Sequence, residues 1–176
     1  FYNHKFERFQ KLEELINKWE NLILKNPDLY VSAFFLSLDN QIYAEIESDK
    51  KLSAASSIKV PILIILLSML EREEIIWDEK LILSKDVIGS GSGWMAYQNI
   101  GEEFPVYEVA SEMIRVSDNT ATNLLIKRLG GINIVNQKFK EIGLLNTQIN
   151  NYLPDLDGTN HTSTKDLSLA MSLVDN

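Results

Sequence analysis

The segment Ala54-Ala55-Ser56-Ser57-Ile58-Lys59-Val60-Pro61 opens a run, residues 56–74, that is apolar on nearly every side of a helical projection. A helix of that kind is buried. Pro61 is tolerated only near the first turn, where a missing N–H costs nothing. The helix therefore starts close to Ser56. Its positive dipole end lies beside that hydroxyl, and Lys59, three residues on, shares a face with it. Burial of the Lys59 amine would lower its pKa and let it act as a base toward Ser56. The alternative is a capping serine followed by a solvated lysine, and a four-residue pattern alone is open to chance matches.

Ser117-Asp118-Asn119 stands 61 positions after Ser56. It separates two helical patterns, 106–116 and 119–129, the second ended by Gly130-Gly131. Ser, Asp and Asn all favour helix N-caps, so this triplet too has a purely structural reading. Before it lies a glycine- and serine-rich loop, residues 86–101, with Gly89-Ser90-Gly91-Ser92-Gly93-Trp94 at its centre. After it the pattern predicts a helix over 132–142, a polar loop over 150–160 and a last helix over 165–174 opened by Thr162-Ser163-Thr164. Toward the N-terminus, helical spacing covers 6–24. Residues 30–38 and 41–47 then read as a β-hairpin around Asp39-Asn40, with Ile42, Ala44 and Ile46 on one face. The fold class is α+β. Two strands make a poor sheet, so the hairpin is expected to belong to an antiparallel sheet whose other strands are missing from this sequence.

The 176 residues suit one domain, with 45% hydrophobic and 24% charged residues. A net charge of −8 and a pI of about 4.8 argue against nucleic acid or an anionic membrane as partner. The absence of cysteine removes disulfides, thiolate zinc sites and a cysteine nucleophile. The longest apolar stretch, residues 60–70, is shorter than the roughly 20 residues a bilayer span needs. No signal peptide opens at Phe1, so an export signal is expected outside these residues. His4 and His161 are expected at the surface, without a metal site. No phosphate-binding glycine loop follows a strand, and no cofactor is expected.

Taken together, the two motifs and their flanks, residues 54–61 and 114–125, resemble the class A β-lactamases and their penicillin-binding relatives. The Gly130-Gly131 pair and the glycine-serine loop also fit that pattern, and the resemblance runs from about residue 6 to 176. It implies one incomplete domain of the β-lactamase type, with residues 1–50 in its α/β part and 51–176 in its mainly helical part. By the resemblance, Ser56 attacks a carbonyl and becomes acylated. Lys59 takes or relays its proton, and Ser117 relays a proton toward the leaving nitrogen. Asn119 binds the amide side chain of the substrate, Asp118 holds its loop, and Trp94 is a candidate wall of the cleft. The Ser56 N–H would be half of an oxyanion hole. The substrate would be a β-lactam or a cell-wall peptide-like amide, met outside the cytoplasm. Other readings stay open: a serine amidase or esterase, a non-catalytic binding or sensor module, or an inactive fragment.

Two departures bear on activity. Where class A enzymes carry the glutamate that activates the deacylating water, between an aromatic residue and a proline, this sequence has Tyr152-Leu153-Pro154. Leucine cannot take a proton, and Asp155 or Asp157 would have to come within about 3 Å of that water to replace it. The family's Lys-Thr-Gly strand, source of the second oxyanion donor, is also absent. Acylation with poor deacylation is the expected result.

Overall fold

A computed structural model describes residues 8–174. The first sheet holds β1 (Gln10–Lys11), β2 (Ala33–Ser37) and β3 (Ile42–Ile46) in the order β1-β3-β2. The expected hairpin forms, with Ala33 opposite Ile46 and Ser37 opposite Ile42. Ala44 is fully buried, while Ile42 and Ile46 are half-buried. On the far side of β2 no further strand pairs among the described residues. Phe34, Leu36, Leu167 and Met171 leave an open apolar groove beside it.

The opening helix is shorter than its periodicity suggested. Gln10–Lys11 pairs parallel to β3, and Gln10 and Leu12 donate N–H groups to the carbonyls of Gln41 and Tyr43 at 2.8 and 2.7 Å. The backbone bonds of an available sheet edge outweigh helical spacing here, so α1 runs only over Glu13–Leu24. Phe6, Glu7 and His4 lie outside the described residues.

The helical part is built around α2 (Lys59–Glu71), entered through a 3₁₀ turn over Ala55–Ile58. Pro61 is its third residue, as its tolerance near a helix start requires. Ile62, Ile65 and Leu66 are almost fully buried. Each contributes about 1.5–3 kcal/mol by leaving water. The helix stops earlier than expected because Glu73 turns left-handed, with φ +58°. Glu73 and Glu74 then donate back to Leu70 and Met69 at 3.0 and 2.9 Å, a C-terminal closure usually marked by glycine and here not.

Around α2 pack α3 (Val106–Arg115), α4 (Asn119–Arg128), α5 (Ile132–Glu141) and α6 (Thr164–Ser172). Phe139, Met113, Leu125 and Leu144 complete the core. Two small ladders were not foreseen: β5 (Lys80–Ile82) with β6 (Glu103–Pro105), and β4 (Leu52–Ser53) with β7 (His161–Thr162). The second places the backbone of His161 in a sheet and leaves its ring half-buried, not on the open surface. Segments of two or three residues carry no periodicity to read. Among the described residues no helix is long and apolar enough to cross a membrane.

Candidate active site

The 3₁₀ turn at the head of α2 presents Ser56, exposed, while Lys59 is only 3% exposed. From the opposite side, the break between α3 and α4 presents Ser117. The Ser117 hydroxyl donates to Ser56 Oγ at 2.9 Å. Lys59 Nζ donates to Ser117 Oγ at 2.8 Å, to the Ser117 carbonyl at 2.5 Å, to Asn119 Oδ1 at 3.0 Å and, weakly, to Ser56 Oγ at 3.4 Å. An ammonium has three N–H groups for these four oxygens, so the longest contact is the one most easily surrendered. Burial pulls the Lys59 pKa down from 10.5 to about 8, and the charge of Asp118 pulls the other way. Four of the six residues given roles in the sequence, Ser56, Lys59, Ser117 and Asn119, thus meet in one hydrogen-bonded group.

Local backbone geometry makes this meeting possible. Ser117 follows the last turn of α3 with φ +59°, and Ala55, just before Ser56, has φ +44°. Left-handed backbone costs a non-glycine residue about 1 kcal/mol or more. A glycine at position 117 would be easier to accommodate but would carry no hydroxyl.

Asp118 is fully buried and caps α4. One carboxylate oxygen accepts the Trp94 and Met95 N–H groups at 2.7 and 2.9 Å, and the other accepts Ala121 N–H at 2.9 Å. The glycine-serine loop is therefore tied to the helix start, and the structural role expected for Asp118 is what its contacts describe. Gly93 is required in that loop: a Cβ would lie 2.0 Å from Asp118 Oδ2. Asn119 holds the same loop through Nδ2 to the Ser90 carbonyl at 2.8 Å and receives Lys59 on Oδ1. Its amide carries a second N–H for a ligand.

Trp94 sits differently. Its ring meets Phe104 edge-on at 6.0 Å, and its Nε1 donates to buried Glu112 at 2.6 Å. Those contacts turn the indole toward the core.

Leu153 lies on the loop between α5 and β7 and is 6% exposed. Asn123 fixes it from both sides, accepting Leu153 N–H at 2.7 Å and donating to the Leu153 carbonyl at 2.7 Å. That carbonyl also sits where a Cβ on Gly89 would fall, 2.3 Å away. Asn123 had no role assigned from the sequence. The signal was there: around Ala121, the residues Asn119, Thr120, Thr122 and Asn123 place four poor helix formers in the opening turns of a helix, and all four are buried. Among the described residues no group of three or more His, Asp or Glu is placed to hold a metal.

Known proteins decide how far this geometry generalises. Residues 11–176 match the model of the beta-lactamase enzyme family. The chain belongs to that family. Among curated β-lactamases, BRO-1 of Moraxella catarrhalis is 27% identical over 157 residues, 89% of this chain and 48% of that protein. A β-lactamase of Bacillus licheniformis is 26% identical over 126 residues, 72% of this chain and 40% of that one. Among solved structures, PBP-A superimposes with a TM-score of 0.89 at 38% identity, covering 95% of this chain and 63% of PBP-A. A leucine-to-glutamate mutant of PBP-A, an acyl-enzyme complex with penicillin G, matches with a TM-score of 0.87 at 38% identity, over 93% of this chain and 62% of that one. As a member of the β-lactamase family, the chain thus spans about half the length of the curated relatives it matches.

Proposed function

We propose that this chain carries the nucleophile-bearing part of a serine acyl-transfer site, with Ser56 acylated by a β-lactam or a peptide-like amide. The observation that supports this best is the convergence of Ser56 Oγ, Ser117 Oγ and a buried Lys59 amine whose pKa is drawn to about 8. A neutral Lys59 keeps two N–H groups, for the Ser117 carbonyl and Asn119, and turns its lone pair to a hydroxyl. Ser56 Oγ then bonds to the carbonyl carbon while its proton passes to Lys59, directly or through Ser117. The C–N bond breaks, and the proton returns through Ser117 to the leaving nitrogen. The Ser56 N–H serves the oxyanion. Asn119 faces the substrate amide with its remaining N–H, and the exposed side of Trp94 is the weaker candidate for a cleft wall.

Deacylation is slow in this reading, because Leu153 stands where a water-activating carboxylate would be needed. The acylated state of the PBP-A mutant with penicillin G is that protein's, and it supports a nucleophile of the same kind here. The acidic surface fits a small substrate better than nucleic acid, and cell-wall amides would place the protein outside the cytoplasm.

The test is incubation with a fluorescent penicillin followed by intact-mass measurement. A stable adduct that disappears in Ser56→Ala is the expected result. Rapid hydrolysis without an adduct would overturn the reading of Leu153. No reaction at all would leave a binding module that keeps the fold.

A further inference from the structure

The loop that carries Leu153 closes on itself at a narrow neck: buried Asn160 ties its outer part to Asn150 and Asn151, and one buried carboxylate holds its base. Asp166, in the first turn of α6, is 3% exposed. Its Oδ2 accepts the Asn146 N–H at 2.7 Å and the Thr147 hydroxyl at 2.8 Å. Thr147 Oγ1 also lies 2.8 Å from Thr162 Oγ1. Because Thr147 has one hydroxyl proton and spends it on the carboxylate, Thr162 must donate to Thr147. The direction of the chain Thr162 to Thr147 to Asp166 is therefore fixed. One rung further out, Gln148 and His161 exchange backbone bonds at 2.9 and 3.0 Å.

Both halves of the site hang from this neck. On one side the loop runs out to Leu153 and its anchor Asn123. On the other, His161 and Thr162 pair with Ser53 and Leu52, and Ala54 N–H donates to the Asn160 carbonyl at 2.8 Å. Two residues later the chain reaches Ser56. Burial pushes the Asp166 carboxyl above its usual range, against the pull of Thr147, Asn146 and Ser163, and Asp49 pushes it the same way as burial. Asp49 is itself paired with Lys165 at 3.2 Å. A buried carboxyl held by hydrogen bonds rather than by a cation is a costly way to close a loop.

We propose that Asp166 is a positioning residue for the acyl-transfer site: through Thr147 and Thr162 its carboxylate sets the register between the Leu153 loop and the strand that leads into Ser56. The inference rests on the function proposed above for its consequence, but not for its geometry.

Three variants separate the possibilities. Asp166→Asn keeps an oxygen that can accept both bonds, Asp166→Leu removes it, and Thr147→Val breaks the hydroxyl chain while leaving the carboxylate and its Asn146 bond in place. Amide hydrogen exchange reads the neck directly at Gln148 and His161. Exchange there is expected to speed up about 10- to 100-fold in Asp166→Leu and Thr147→Val, from leaving buried polar groups unpaired. Asp166→Asn should restore protection, with the α2 amides unchanged throughout. Adduct formation with fluorescent penicillin is expected to slow about tenfold in the two opened variants and to recover in Asp166→Asn. A neck that stays protected in Thr147→Val overturns the proposal, as does normal acylation with an open neck. Should Asp166→Leu expose the whole chain, Thr147→Val still decides. A wild-type chain that takes no penicillin sinks the acyl-enzyme reading instead, and exchange at the neck then judges the latch by itself.

Discussion

Raising the pH should switch on the nucleophile, because the protonation state of Lys59 is the quantity most directly set by the fold. Burial brings its pKa from 10.5 to about 8. At pH 7 the neutral fraction is then about one in eleven, and at pH 9 about ten in eleven, against fewer than one in a thousand at pH 7 for an unperturbed lysine. Acylation that draws on neutral Lys59 as the base should therefore rise about tenfold from pH 7 to pH 9 and then level off. The assay is the rate of adduct formation with a fluorescent penicillin across that range, beside an NMR titration of the Lys59 side chain. Stability should move in the same window, with a sign that follows from proton counting. Below about pH 8 folded and unfolded chains both hold the proton; between about 8 and 10.5 the unfolded chain holds more, so stability rises with pH by about 3–4 kcal/mol at most. A Lys59 midpoint near 10.5, or an acylation rate flat from pH 6 to 9, would refute the reasoning.

Asp118→Ala should cost about 3–5 kcal/mol in denaturant unfolding, since three backbone N–H groups lose a buried carboxylate. Gly93→Ala should cost about 2–4 kcal/mol, combining left-handed backbone with a clash on Asp118. Gly101→Ala, with φ +93° but open space around its Cβ, is the control and should cost only about 1 kcal/mol by thermal melting. Leu153→Glu should shorten the lifetime of the penicilloyl adduct at least about tenfold, because it offers the water a base. The same change should lower the melting temperature, since position 153 is buried. An adduct as long-lived as in the parent would show that the loop does not face the acyl carbonyl.

What the sequence could determine was whatever repeats or clusters along the chain. The all-round apolar run after Ser56 made α2 the buried centre, since such a helix has no face to give to water. The hairpin's alternation set which side of β3 meets the core. Ser56, Lys59, Ser117 and Asn119 were legible because two short motifs stand at helix starts, where serine and asparagine have a physical reason to be. The unpaired edge of β2 among the described residues agrees with the expectation that a two-stranded hairpin makes a poor sheet by itself, although the third strand at Gln10–Lys11 was not foreseen.

Tertiary structure decided everything that depends on a partner distant in sequence. The helical spacing of residues 6–24 gave way where the edge of β3 offered backbone bonds to Gln10 and Leu12. Trp94 turned toward Phe104 and Glu112, a choice no local pattern encodes. Asn123 and Asp166 gained their roles only when chain segments 30 and 19 residues away folded against them. Even the chemistry of Lys59 is of this kind. Its place in the motif is local, but its lowered pKa comes from being packed out of water against Ser117 and Asn119, 58 and 60 positions along the chain.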